Sequence, residues 1–313
     1  MSSLSGRQNL GLSLACVATT MWAVLPIAVV QLMQALDPVT ITFFRFFLAA
    51  VVLTAFLANR GRLPSISKFH CPWRMFQLLC AGVLLSTNYT LFIFGLERTT
   101  SEAAEIIIQL APMLFLLAGI RIFGEYFSRV QCFGAVIFIA GLILYFTHRA
   151  EDLFVTFSDY GQGMLLIAIS AVFWAGYATL QKFLMREFTA EEILIVIYWI
   201  GAGIFLIQAD FFTLLDLNAY LWALLVFCGL NTLIAYGSFS EALAHTEASR
   251  VSAIMALTPI ITSTIVQIFP MEGVHIEPLY VLTLVGAIMV VVGSIVVAIA
   301  KKGTSDDSSF KQD

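Results

Sequence analysis

The stretch Leu96–Pro112, LERTTSEAAEIIIQLAP, is written twice in this chain, and the duplication limits the available folds more than any other feature. Laid without a gap on Leu243–Pro259, LAHTEASRVSAIMALTP, it superposes Leu96 on Leu243, Thr99 on Thr246, Ile107 on Ile254, Leu110 on Leu257 and Pro112 on Pro259. At the same offset Gly82 falls on Gly229, Tyr89 on Tyr236, Phe92 on Phe239 and Glu125 on Glu272. A slightly longer spacing brings Trp22-Ala23 onto Trp174-Ala175, Gly134 onto Gly286 and Gly141 onto Gly293. Matches of Leu and Ile are cheap in an apolar chain, but the shared register of Pro, Gly, Tyr, Trp and Glu is not. One unit is therefore present in two copies, and the fold must accommodate both.

The solvent of that unit follows from polarity. With 60% hydrophobic and 12% charged residues and a mean hydropathy of +0.94, the chain has too little polar surface to coat a water-soluble globule. Apolar runs fall at 10–32, 39–58, 73–96, 103–123, 130–146, 163–184, 193–215, 219–242, 251–269 and 278–300. Each is near the ~20 residues a helix needs to cross hydrocarbon, and the period-2 alternation of a membrane barrel is absent. The first run is too long for a signal-peptide core. Ser13-Leu14-Ala15-Cys16 departs from a lipoprotein cleavage box at Ser13, so the run is expected to be a helix of the mature protein.

Counting alternate connections, one side carries 13 Lys and Arg residues and the other only Arg98 and Arg149, with Arg45 inside a span. The positive-inside rule then places both termini in the cytoplasm. Each copy holds five spans, an odd number, so the second copy enters the membrane from the face opposite to the first. The expected fold is an all-α polytopic membrane protein of ten transmembrane helices arranged as two inverted five-helix repeats. Its expected parts are a first repeat at 10–147, a periplasmic linker at 148–160, an inverted repeat at 161–300 and a cytoplasmic tail at 301–313. Inverted halves around a midplane site are the recurring plan of secondary transporters.

Several of these residues together resemble a known family. Trp-Ala in helices 1 and 6, Asp37-Pro38 ahead of helix 2 with Arg45 within it, Leu-x-Pro in helices 4 and 9, and the glycine-spaced helices 5 and 10 are similar to the drug/metabolite transporter superfamily, in its EamA-type branch. The resemblance runs from about Leu10 to Ala300. It implies a carrier of small polar metabolites or amino acids in the bacterial inner membrane, often working outward. The chain's two copies differ where Ile197 replaces Arg45 and Ser252 replaces Glu105, so substrate choice is to be sought there.

Polar side chains inside apolar spans must face the bundle interior, where they serve either as interhelical glue or as cavity lining. The cavity candidates on this ground are Trp22, Asn88, Tyr89, Gln109, Trp174, Tyr177, Gln181, Asn231, Tyr236 and Ser252. Trp174, Tyr177 and Gln181 trace one helical stripe, and so do Glu102, Glu105 and Gln109, of which Glu102 reads as a solvated helix start. Arg45 and Glu105 lie at comparable depth and are expected to pair, directly or through the substrate. A static ion pair between helices 2 and 4 and a coupling role stand as alternatives. Pro26, Pro112 and Pro259 are hinge candidates, with passive kinks as the other reading.

Other chemistries find little support. The four histidines lie in or beside loops without metal-ligand spacing, and the five cysteines form no CxxC pair. Without a GxxxxGK[ST] phosphate loop, ATP-driven transport would need another subunit. An intramembrane enzyme is the main alternative class, with a non-transporting scaffold or sensor behind it, and it fares poorly because no span holds a Ser–His, Asp–Asp or His-cluster constellation. No cofactor, metal or nucleic acid is expected. The expected partners are a small-molecule substrate and the lipid bilayer, with a proton or counter-substrate and a homodimer left open.

Overall fold

The computed structural model describes residues 7–123, 128–149, 158–246, 248–269, 271 and 280–299. Most of the 148–160 linker, the 301–313 tail and the matched pair Glu125 and Glu272 lie outside the described residues. Within them the chain is helical: α1 (Gln8–Leu32), α2 (Pro38–Asn59), α3 (Pro72–Leu96), α4 (Ser101–Ile108), α5 (Leu110–Phe123) and α6 (Arg129–Tyr145) in the first half. The second half repeats the series as α7 (Asp159–Leu184), α8 (Ala190–Leu206), α9 (Ala219–His245), α10 (Ala248–Met255), α11 (Thr258–Ile268) and α12 (Val281–Ile299). Among the described residues α4 with α5 and α10 with α11 form the fourth and ninth of ten spans, and the two halves are inverted five-span repeats. By length and apolarity α1, α2, α3, α7 and α9 can each cross a bilayer, while α6, α11 and α12 are shorter apolar helices.

Local sequence sets the helix starts. Asp37 accepts bonds from Val39 N and Thr40 N at 2.9 Å each, and Pro38 follows at the first helical position, so α2 begins with its orphan donors satisfied. Ser128 with Gln131, and Thr189 with Glu192, make reciprocal capping boxes at the starts of α6 and α8. The breaks have an equally local cause. Pro112 and Pro259 carry no N–H, so the carbonyls four residues earlier, Ile108 and Met255, lose their helical donors. The helices stop at Gln109 and at Ala256-Leu257, which are repeat-equivalent positions. Pro26 lies inside the uninterrupted α1.

Helix pairing follows the duplication. Helices α3 and α7 pack together, and their repeat mates α9 and α1 do likewise; α2 packs on its own mate α8, and α6 on its mate α12. The α6–α12 seam is very close. A methyl group on Gly141 would lie 2.7 Å from Val290 N and 2.9 Å from Gly286 O, so only glycine allows this approach. Gln131 Nε2 also donates across the seam to Val297 O at 3.2 Å. These two helices stand beside the bundle and leave its centre to the other spans.

The α2–α3 and α7–α8 connections share one face, joined by Arg62–Glu191 at 3.2 Å, Lys68–Glu192 at 2.7 Å and Arg74–Glu187 at 2.6 Å. Glu192 precedes the apolar run of its span. Burial disfavours its charge, but bonds from Lys68 and Thr189 outweigh this and hold its carboxyl below the usual 4.5. On the opposite face the links are neutral: Asp210 N donates to Thr40 Oγ1 at 2.7 Å, and the Tyr220 hydroxyl bonds Gln31 Oε1.

Candidate functional site

A cavity of about 100 Å³ opens at the level of the two breaks, between α1, α2, α3, α4, α5, α7, α9, α10 and α11. Of the polar and aromatic residues singled out from sequence, Trp22, Arg45, Asn88, Tyr89, Glu105, Gln109, Trp174 and Tyr236 line it, together with Pro26 and Pro112. Each half contributes, so the hollow lies where the inverted copies meet.

Its wall is aromatic. Trp22 meets Trp174, its repeat mate, edge to face at 6.5 Å, and Tyr236 at 5.4 Å. Tyr89 and Tyr236, also repeat mates, lie 6.1 Å apart. Such rings give a solute a large apolar contact at little entropic cost and present their faces to cationic groups.

A basic and an acidic side chain face this wall. Arg45 is 4% exposed; its Nε donates to Thr232 Oγ1 at 3.2 Å and its Cζ stands 4.4 Å from the centre of the Tyr89 ring. Glu105 is likewise 4% exposed, and no hydrogen bond or ion pair engages its carboxylate among the described residues. The expected direct Arg45–Glu105 pair is therefore not formed. The guanidinium is drawn instead to a hydroxyl of α9 and an aromatic face of α3, leaving the carboxylate to the cavity. Uncompensated burial costs several kcal/mol per ion, so an unpaired carboxyl group here is neutralised either by a proton or by a cation that enters the cavity.

Five other candidates lie off the cavity. Tyr177 is fully buried in the helix core, 6.0 Å from the Tyr236 ring. Gln181 Nε2 donates to Ser240 Oγ at 2.8 Å and ties α7 to α9, while Asn231 Nδ2 donates to Met21 O at 2.7 Å and ties α9 to α1. Pro259 is buried in α11, and Ser252 sits half-buried on α10, which packs along α12. Glu102, expected to be solvated, is only 3% exposed. Asn88 lines the cavity and is also glue, its Nδ2 donating to Ser170 O at 2.9 Å.

The lining also includes Leu25, Phe92, Ile108, Ala111, Met255 and Thr258, which the sequence reading did not single out. Phe92 shares repeat register with Phe239; Ala111 and Thr258 are the middle residues of the two Leu-x-Pro sequences, and Ile108 and Met255 lie two residues before them. The signal was thus the break itself rather than any polar residue.

Fold and hollow together are those of a transporter-type membrane protein, two inverted halves with a cavity between them. Residues 9–147 and 161–299 each match the EamA-like transporter family, and the chain belongs to that family, and with it to the drug/metabolite transporter superfamily. It is 33% identical over 256 residues to the uncharacterized inner membrane transporter YhbE of Escherichia coli (strain K12), covering 82% of this chain and 80% of that protein. An uncharacterized transporter of Haemophilus influenzae (strain ATCC 51907 / DSM 11121 / KW20 / Rd) is 33% identical over 297 residues, covering 94% of this chain and 96% of its own. One solved crystal structure superposes with a TM-score of 0.67 at 18% identity over 93% of this chain and 97% of that one, a likeness of fold. Both relatives carry transporter names.

Proposed function

We propose that the protein is a secondary carrier of small organic solutes, amino-acid-like or similarly amphipathic, that works by alternating access across a bacterial inner membrane with both termini in the cytoplasm. One observation carries this reading: the cavity sits between inverted halves at the level where both Leu-x-Pro sequences interrupt their spans. Two copies of one unit, inserted oppositely, can exchange conformations so that the same site faces each side in turn. The packing is already unequal. Helix α4 lies against α11, whereas its counterpart α10 lies along α12. Exchanging those two arrangements is the motion the reading requires, with Pro112 and Pro259 as the places where the spans bend.

Within this reading the aromatic wall holds the apolar body of the solute, and Arg45 and Glu105 act on its charged ends or on the coupling ion. Export as the direction follows the family resemblance, and the basic-side count supports the orientation. The test is counterflow. Purified protein in proteoliposomes preloaded with a bacterial metabolite extract is expected to accumulate labelled solutes transiently and saturably. Uptake linear in concentration, or none above protein-free liposomes for any fraction of the extract, would refute a carrier.

A further inference from the structure

The break in span 4 brings a carboxyl group, an amide oxygen and a carbonyl deprived of its helical donor onto one turn. Glu105, Ile108 and Gln109 follow one another at i, i+3 and i+4 on one face of α4's last turn, and all three line the cavity. The Glu105 carboxylate has no hydrogen-bond or ion-pair partner among the described residues. Gln109 is 4% exposed, and its Nε2 donates to Met255 O at 3.3 Å. That bond fixes the amide's orientation, because a carbonyl accepts only from the nitrogen, and it leaves Oε1 buried with no donor. Pro112 removes the N–H that would reach Ile108 O, and the carbonyl end of a helix is its negative pole. Arg45 lines the same cavity but makes no ion pair with this carboxyl group; its Nε bonds Thr232 and its Cζ stands over the Tyr89 ring.

A carboxylate, an amide oxygen and a proline-freed carbonyl on one turn are the chemistry that a small cation seeks at the broken end of a transporter helix. We propose that this break is a binding site for a single monovalent cation, either an alkali ion or a primary ammonium group. One carboxylate balances one positive charge, and no group of three or more His, Cys, Asp or Glu residues gathers to hold a metal ion among the described residues. An ammonium group has three N–H donors for these oxygens. The second half cannot reproduce the site, because Ser252 and Ala256 stand at the equivalents of Glu105 and Gln109. The ammonium form rests on the carrier reading, whereas the alkali form stands without it.

The test is binding in detergent solution, where no transport is needed, so a failed counterflow experiment leaves the alkali form untouched. The fluorescence of the purified full-length protein, in which Trp22 and Trp174 border the cavity, and its unfolding temperature are followed at fixed pH. Sodium chloride, ethylammonium chloride and choline chloride are added separately; choline has no N–H and controls for ionic strength. A saturable response to sodium identifies an alkali site, and one to ethylammonium an ammonium site. In either case Glu105→Gln is expected to weaken the response at least tenfold and Gln109→Leu severalfold. Should Glu105→Gln fail to fold, Glu105→Asp keeps the charge and is expected to respond with altered affinity. The proposal is overturned by a response to neither salt beyond that to choline, by an undiminished response in Glu105→Gln or Gln109→Leu, or by an unaltered one in Glu105→Asp. It is equally overturned if only a change of pH alters the signal, since the carboxyl would then merely take up a proton.

Discussion

The two span breaks began as one sequence, and they now do different work. At the break in span 9 the carbonyl freed by Pro259 is satisfied twice, by Thr258 Oγ1 at 2.6 Å and by Gln109 Nε2 reaching across from span 4 at 3.3 Å. At the break in span 4 the residue equivalent to Thr258 is Ala111 and the residue equivalent to Gln109 is Ala256, so neither bond can be made in return. What stands there instead is Glu105, beside the cavity and without a partner among the described residues. The difference teaches that the halves have divided their roles: the second break is sealed by hydrogen bonds, and the first is left polar and available to a solute.

The largest expected effect comes from removing the charge on one side of that comparison. Glu105→Gln is expected to slow transport at least about tenfold, which is ~1.4 kcal/mol, while Ser252→Ala at the twin position stays within about twofold. Initial rates in proteoliposomes decide this, and equal losses would erase the asymmetry. Next in size is the cross-break bond. Gln109→Ala is expected to destabilise the purified protein by about 1 kcal/mol, the net worth of one buried hydrogen bond. Thr258→Val should cost a similar amount, and the two together more than their sum, because Met255 O is then left with neither donor. Thermal unfolding of the two single variants and the double variant provides the cycle, and strict additivity would show that they do not share this carbonyl.

The smallest effect lies away from the breaks, where the halves are joined by surface ion pairs. Glu192 has its carboxyl lowered below 4.5 in the folded protein, so its contribution to stability is present above that pH and is lost as pH falls through the lowered value. Glu192→Gln is expected to flatten the acid limb of the unfolding profile slightly and to leave transport near neutral pH unchanged. An unchanged acid limb would show that the Lys68 pair adds nothing there.

Much of this architecture is legible in the residues alone. Ten apolar runs, the odd number per copy and the Leu-x-Pro matches specify inverted halves, and charge or aromaticity inside a span points to Trp22, Arg45, Glu105 and Trp174 on the cavity. The glycines of α6 and α12 read as packing positions, and they meet across one seam. What does not follow from pattern is which inward-facing residue meets a neighbouring helix and which meets the hollow. Trp174, Tyr177 and Gln181 share a stripe, yet α7 is packed by α3, α4 and α5, and only Trp174 reaches the cavity. Nor does depth along a helix give direction around it: Arg45 and Glu105 lie at similar depth, and the guanidinium still turns to Thr232 and Tyr89. The unequal packing of α4 and α10 is hidden for a deeper reason. Two copies in one register carry the same pattern, and which copy takes which posture is a property of the conformation.

The central claim is that the hollow between the halves faces both sides of the membrane in turn. Ala111 lines the cavity and is 2% exposed, so a cysteine there samples the site without adding or removing charge. With the five native cysteines replaced, the Ala111→Cys protein in oriented vesicles is labelled by a membrane-impermeant thiol reagent from each side. The account predicts labelling from both sides, with a transported solute changing the two rates in opposite directions. Labelling from one side only, at a rate no solute changes, would contradict it.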